Sequence, residues 1–411
     1  MGETAMHDTD VAIVGGGLAG STAAAMLGRA GLRAVLIDPH GAYPPDFRCE
    51  KLDGVQVALL RKTGLAPAVL RAATLDAGVW VVRFGRVVEK RSSDQHGILY
   101  ESLVNTIRAQ IPDGTGFIQA NVTSVSTSAD HQRLTLSDGR QVTARLVALA
   151  SGLSRPIAAA LGIGRVELSR CHSIAIGFDV VPVGRPAFEF PALTYWAARI
   201  TDRMAYLTLF PVPGAMRANL MVYRDMRDPW LERMRTSARD ALCATMPRLA
   251  SLLGDFTVKA PVRIRPADLF VSTGFRCAGM VLVGDAFATS CPAAGTGVGK
   301  VFTDVERLCN VHVPAWLATS GMSEKKIDAF YDDRVKRACD AASLAKAYWL
   351  RSLSMGAGPT WRARRWARFV KGVAATALRS VRARPQDDWL AARVAAPHGD
   401  ASRSHTVLAH E

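Results

Sequence analysis

Three glycines, Gly15, Gly17 and Gly20, stand at GxGxxG spacing between an apolar run, DVAIV at 10–14, and a stretch of small residues, GGGLAGSTAAAMLGRAG. Asp38 closes the next apolar run, RAVLID, 23 residues after Gly15. Each residue type has a use in holding a dinucleotide. Gly15 permits a tight turn, Gly17 lets the backbone approach a pyrophosphate at a helix N-terminus, and Gly20 lets that helix pack close on the strand. Leu18 and Ala19 belong to the same phosphate-facing turn. Asp38 can accept hydrogen bonds from the adenosine ribose hydroxyls. NAD and FAD share this pattern, so these residues alone leave the choice between them open.

The elements that must carry these residues form a strand, helix and strand over the first forty positions, which predicts an α/β domain with a parallel sheet. Residues 79–90 read as a hairpin and 98–111 as a helix, with strands at 117–125, 132–136 and 145–149. Four strand-like segments between 172 and 224, punctuated by Pro and Gly, predict a separate antiparallel lobe. Residues 229–253 read as helical. The apolar run GMVLVGD at 279–285 then feeds a glycine-rich loop and a helix over about 297–308. The expected plan is a Rossmann-like nucleotide-binding domain in two parts, 8–165 and 266–320, around an antiparallel substrate lobe at 166–265. C-terminal helices at 321–395 and a disordered tail at 396–411 follow.

Composition bounds the rest. The 411 residues have 49% hydrophobic and 21% charged content, as globular chains do, so a disordered or fibrous polymer is excluded. No apolar run reaches the roughly 18 residues of a membrane-spanning helix, and the polar start has no secretory signal. Seven widely spread cysteines without a CxxC pair argue against a disulfide framework or a metal site, so a cytoplasmic location is expected. The net charge of +15 is concentrated: between 351 and 386 there are nine Arg or Lys and no acid. Residues 361–381 predict an amphipathic helix, with Trp366, Phe369, Val370, Val373, Ala377 and Val381 on one stripe. Docking on the nucleotide-binding domain is the plainer reading of that helix, with peripheral membrane contact left open. No recognised module suggests nucleic acid.

The run GMVLVGDAFATSCPAAGTGVGKVFTDVERL at 279–308 resembles the second FAD motif of the flavoprotein monooxygenases of the para-hydroxybenzoate hydroxylase type. The resemblance covers about 10–348 and identifies the cofactor as FAD. It implies that Gly284 and Asp285 reach the ribityl chain and that Pro292, Gly295, Gly297 and Val298 bring backbone against the isoalloxazine edge. A glycine loop entering a helix suits the electron-rich side of a reduced flavin, because it presents free N–H groups and a positive dipole end. Arg48 falls where the family places an Arg beside the pyrophosphate, and Val122 joins the expected cofactor-binding set. Three places depart from the family: Ser151-Gly152 replaces an Asp-Gly pair, Ala286-Phe287-Ala288 lacks a His, and Lys300 stands near the place of an Asn.

The resemblance implies an oxidoreductase, a monooxygenase in which NAD(P)H transiently reduces FAD. O2 is then captured as a C4a-hydroperoxide, and one oxygen passes to an aromatic or lipophilic small molecule. No second GxGxxG serves a resident NAD(P)H. The lobe is expected to supply the substrate site, with His172, Tyr195, Tyr206 and Phe210 as its candidates and no catalytic base named. Cys49 and Cys291 fall where the flavin is expected. Three other readings share the fold. A flavin halogenase is the weaker alternative because 206–211 has no tryptophan; a prenyl-chain reductase of the geranylgeranyl type and a non-enzymatic FAD-binding maturation factor complete the set.

Overall fold

The computed structural model describes residues 6–48 and 50–382, and for 6–7 and 376–382 only the backbone. Cys49 and the expected tail at 396–411 lie outside the described residues. Two seven-stranded sheets organise the rest. In the first, Met6–Val14 lies between Ala34–Asp38 and Gln141–Leu149, parallel to both, with Gly116–Gln119 and Met280–Leu282 as further parallel strands. Val11, Ala12, Ile13 and all five residues of Ala34–Asp38 are buried, as central strands covered on both faces require. Gln132–Leu136 and Val122–Ser126 extend this sheet antiparallel. Helix Leu18–Arg29 packs over it through Ala23, Ala24 and Leu27, whose small side chains allow close approach.

The second sheet runs in the order Phe256–Thr273, Gly164–Pro182, Ala215–Val222, Met204–Val212, Leu193–Trp196, Gly78–Arg83 and Arg86–Ser92. The hairpin 78–92 therefore joins the lobe, although the sequence places it within the nucleotide part at 8–165. Leu193 pairs in parallel with Trp80, which covers what is otherwise an open sheet edge and buries Val82. The long strands Gly164–Pro182 and Phe256–Thr273 cross the expected boundaries at 165 and 265 and pass between the two sheets' territories as continuous backbone.

Alternation divides the lobe's two faces. Ile174, Ile176, Phe178, Leu207, Leu209, Leu220 and Val222 pack with Trp230, Leu231, Met234 and Leu242 of the covering helices. Their neighbours Ala175, Tyr206, Thr208, Phe210, Asn219 and Met221 turn to the opposite side and form one wall of a large cavity.

The C-terminal helix Pro359–Arg382 docks on the hairpin 78–92, which lies within the expected nucleotide part at 8–165 but pairs into the lobe sheet. Trp366 stacks on Phe84 at 5.0 Å and Phe369 meets the same ring edge-on at 5.3 Å. Phe84 sits at the hairpin tip with a positive φ of 49°, and this presents its ring to the helix.

Candidate functional site

At the adenosine end the backbone explains the glycines. Gly15 has φ +101°, and a Cβ there would meet the Ala150 carbonyl oxygen at 2.7 Å; at Gly20 it would collide with the Gly15 carbonyl. Gly17 caps the helix without a side-chain bond, so the first-turn N–H groups have no cap from the chain itself. Asp38 is fixed by the N–H groups of Gly16 (2.6 Å) and His40 (2.9 Å). Arg108 donates to the Gly16 carbonyl (2.5 and 3.0 Å) and lies 3.1 Å from Asp38. The sequence reading missed Arg108, since only packing of helix Tyr100–Arg108 brings it there. Leu18 borders the cavity and Ala19 is buried behind it. Val122 stands two residues after Ala120, whose N–H donates to the Asp38 carbonyl at 3.2 Å, and it is not among the residues that line the cavity.

The cavity has a volume of about 540 Å³. One wall is made by Leu18, Arg48, Asp285, Pro292, Gly295, Gly297 and Val298. Gly295 adopts φ +64° with nothing within 4 Å of a hypothetical Cβ, and at Gly297 only Ser290 comes near, at 3.7 Å. Helix Gly297–Arg307 also starts without a side-chain cap. Two uncapped helix N-termini, glycine surfaces and a cavity between them fit an FAD: the first for its phosphates, the second for the flavin edge.

Arg48 donates to Asp46 at 2.6 Å and to Asp285 at 3.2 Å. Burial opposes its charge, but the surrounding acids outweigh that and hold its pKa above the ordinary value. Gly284, at φ +61°, donates its N–H to Asp304 at 3.0 Å. Lys300 is buried, donating to the Ala288 carbonyl at 2.8 Å and pairing with Asp340 at 3.3 Å. In this chain it therefore braces the loop behind the flavin wall.

Tyr206 and Phe210 are brought together on the facing wall, the Tyr206 hydroxyl donating to the Ala293 carbonyl at 2.6 Å. His172 and Tyr195 are not, and both expectations are corrected. Tyr195 shares the parity of Leu193 and so turns into the lobe core. His172 is fully buried between Ser169 Oγ (3.0 Å) and the Ala347 carbonyl (3.3 Å), where it ties the lobe to helix Arg334–Met355; burial lowers its pKa. Cys291 lines the cavity, with its thiol pushed up by burial and 3.3 Å from Ser173 Oγ.

Glu50, also missed, lines the cavity while only 3% exposed. Arg217 Nε lies 3.5 Å from it, and the Asn219 amide, turned to donate, is 3.1 Å away. Burial nevertheless raises its carboxyl to about 7. Its adjacency to Arg48 was the one signal in the sequence, and no periodicity marks it.

The chain matches the FAD binding domain family over residues 8–342. It is 27% identical over 330 residues to 3-demethoxyubiquinol 3-hydroxylase of Escherichia coli, covering 75% of this chain and 80% of that one. The fold is shared with p-nitrophenol 4-monooxygenase PnpA from Pseudomonas putida, with a TM-score of 0.70, 17% identity and coverage of 89% and 94%. It is also shared with halogenase PltM, with a TM-score of 0.67, 15% identity and coverage of 84% and 76%. The chain belongs to the FAD binding domain family and, within it, to the FAD-dependent monooxygenases of the para-hydroxybenzoate hydroxylase type.

Proposed function

We propose that this monooxygenase hydroxylates a phenol or quinol ring held between its flavin wall and the lobe sheet. The observation that carries this reading is the cavity itself, with Asp285, Gly295, Gly297 and Val298 on one side and Tyr206, Thr208, Phe210 and Asn219 on the other. When bound, FAD supplies electron transfer and oxygen activation, with NAD(P)H as the visiting electron donor. The chain supplies the rest. Phe210 and Tyr206 offer aromatic faces to a ring, Thr208 and Asn219 offer polar anchors, and the enclosed walls keep water from the reacting atoms.

A lipophilic ring suits the C-terminal helix, which leaves Trp366, Val370 and Val373 exposed beside Arg362, Arg364 and Lys371. Among the described residues no helix is long and apolar enough to cross a membrane. A cytoplasmic enzyme touching an anionic membrane surface through this helix, and drawing its substrate from there, accounts for both features. Halogenation is the weaker reading: the likeness to PltM is one of fold, and the strand Met204–Val212 carries no tryptophan over the cavity.

The test is NAD(P)H oxidation by the FAD-loaded protein against a panel of phenols and quinols, with labelled dioxygen. Substrate-stimulated oxidation and one labelled oxygen atom in the product are expected. A halide-dependent product, or saturation of a carbon–carbon double bond without oxygen uptake, would overturn the reading.

A further inference from the structure

We propose that Glu50 is the catalytic base that removes the ring hydroxyl proton of the substrate, an inference that rests on the phenol or quinol reading above. The cavity's carboxylates among the described residues are Glu50, Asp53, Asp268 and Asp285. Three of them are committed to structure. Asp53 caps helix Gly54–Lys62 by accepting from Gln56 N at 2.9 Å, Asp268 accepts from Cys171 N at 2.7 Å, and Asp285 pairs with Arg48 at 3.2 Å. Glu50 instead has the Asn219 amide of the facing sheet 3.1 Å away and lines the same cavity as Thr208 and Phe210 of that sheet. Its main chain is held in place by Ile98 N, which donates to the Glu50 carbonyl at 3.0 Å.

The proton transfer balances within the chain and substrate. The O–H bond of the ring hydroxyl breaks, its electron pair stays on oxygen as the phenolate, and the proton forms a new O–H bond on the Glu50 carboxylate. After product leaves, the carboxyl returns that proton to solvent. The phenolate pushes electron density to the ring carbons ortho and para to it, which makes them better acceptors of an electrophilic oxygen.

The charges around Glu50 are arranged for such a task. Arg217, from strand Ala215–Val222, faces it at 3.5 Å but is shared with Asp179 of strand Gly164–Pro182 at 3.1 Å. Glu101, on helix Tyr100–Arg108, adds a second negative neighbour. Lys51, next in the chain, carries its Nζ over the Phe210 ring at 5.4 Å. Burial dominates, Arg217 and Asn219 favour the carboxylate, and Glu101 and Asp179 oppose it; the balance leaves a group that is half ionised close to neutrality. A base poised near the working pH is the efficient one for a phenol, whose ordinary pKa is about 10.

The experiment uses the full-length, FAD-loaded protein and its Glu50→Gln variant, with 4-methylphenol and 4-nitrophenol from the same panel, and follows product formation from pH 6 to 9. For the methylphenol, which stays protonated in this range, Glu50→Gln should lower the rate by about 10²–10⁴-fold and abolish the rise near neutral pH. For the nitrophenol, already ionised in solution at the alkaline end, the loss should shrink below about tenfold there. Glu50→Asp should restore part of the methylphenol rate. An equal loss for both phenols, or no loss, overturns the role of Glu50 while leaving the hydroxylase reading intact. If no phenol or quinol of the panel is turned over by the unsubstituted protein, the substrate reading falls and this inference with it. Should Glu50→Gln fail to hold FAD, Asn219→Ala decides: with a donor to the carboxylate removed, the rise in rate must move to higher pH, and an unmoved rise overturns the proposal.

Discussion

Lys336 Nζ lies 2.8 Å from Asp304 Oδ1 with both side chains only 1% exposed, and the other Asp304 oxygen accepts the N–H of Gly284 at 3.0 Å. This buried pair therefore reaches the flavin wall through one backbone bond. Burial works against the charge on Lys336, but Asp304 and Asp340 outweigh it and hold its pKa above the ordinary value. Removing one partner of such a pair strands the other charge and costs about 3–5 kcal/mol. Lys336→Met should lower thermal stability sharply and loosen the Gly284-Asp285 turn. Differential scanning calorimetry of the FAD-loaded protein checks it, and an unchanged melting temperature would contradict the argument.

Asp38→Ala removes the acceptor expected to meet the adenosine ribose and also frees Arg108 from its ion pair. Hydrogen bonds to a charged group are worth about 1.5–3 kcal/mol, so FAD should bind roughly 10–150-fold more weakly. Titration followed by flavin fluorescence reads this directly. Equal affinity for the two proteins would mean that Asp38 only shapes the turn.

Gly15→Ala should be more severe. The new Cβ would press on the Ala150 carbonyl oxygen from a backbone at φ +101°, so the turn between the first strand and its helix must open. Little flavin absorbance should remain after purification, whereas Gly114→Ala, with nothing near its Cβ, should stay yellow.

His172 has its pKa lowered by burial from the ordinary value of 6.5, so the unfolded chain binds its proton more readily than the folded one. By linkage, its contribution to stability is complete above that value and is lost as pH falls below it. His312 is shifted in the same direction, so the comparison must isolate His172. Urea unfolding of the wild type and His172→Gln between pH 5 and 8 should show a shallower acid decline in the variant. Parallel curves would place the titration elsewhere.

Val370 and Val373, 59% and 45% exposed, leave the hairpin contact of Trp366 and Phe369 untouched when changed to Ser. The double substitution should reduce flotation with anionic liposomes without altering FAD content. Neutral liposomes should float little of either protein. Identical flotation of both proteins with anionic lipid argues against a membrane-facing helix.

The residues that the chain specifies by itself are those whose role depends on near neighbours. Gly15, Gly17 and Gly20 announce a turn and a helix start, Asp38 closes its strand, and the run at 279–308 announces a second glycine loop, because backbone sterics and apolar runs act over a few positions. Tertiary structure decided what depends on distant partners. The hairpin 78–92 belongs to the lobe because the edge at Leu193–Trp196 needed a strand, not because of its own composition. Tyr195 and Tyr206 look alike in sequence, yet sheet register sends one into the lobe core and the other into the cavity. Arg108 meets Asp38 across 70 positions, and Glu50 acquires its raised carboxyl only when the surrounding walls bury it, against the opposing pull of Arg217 and Asn219. Electrostatics in a buried site depends on what surrounds a charge, and only the folded chain brings those surroundings together.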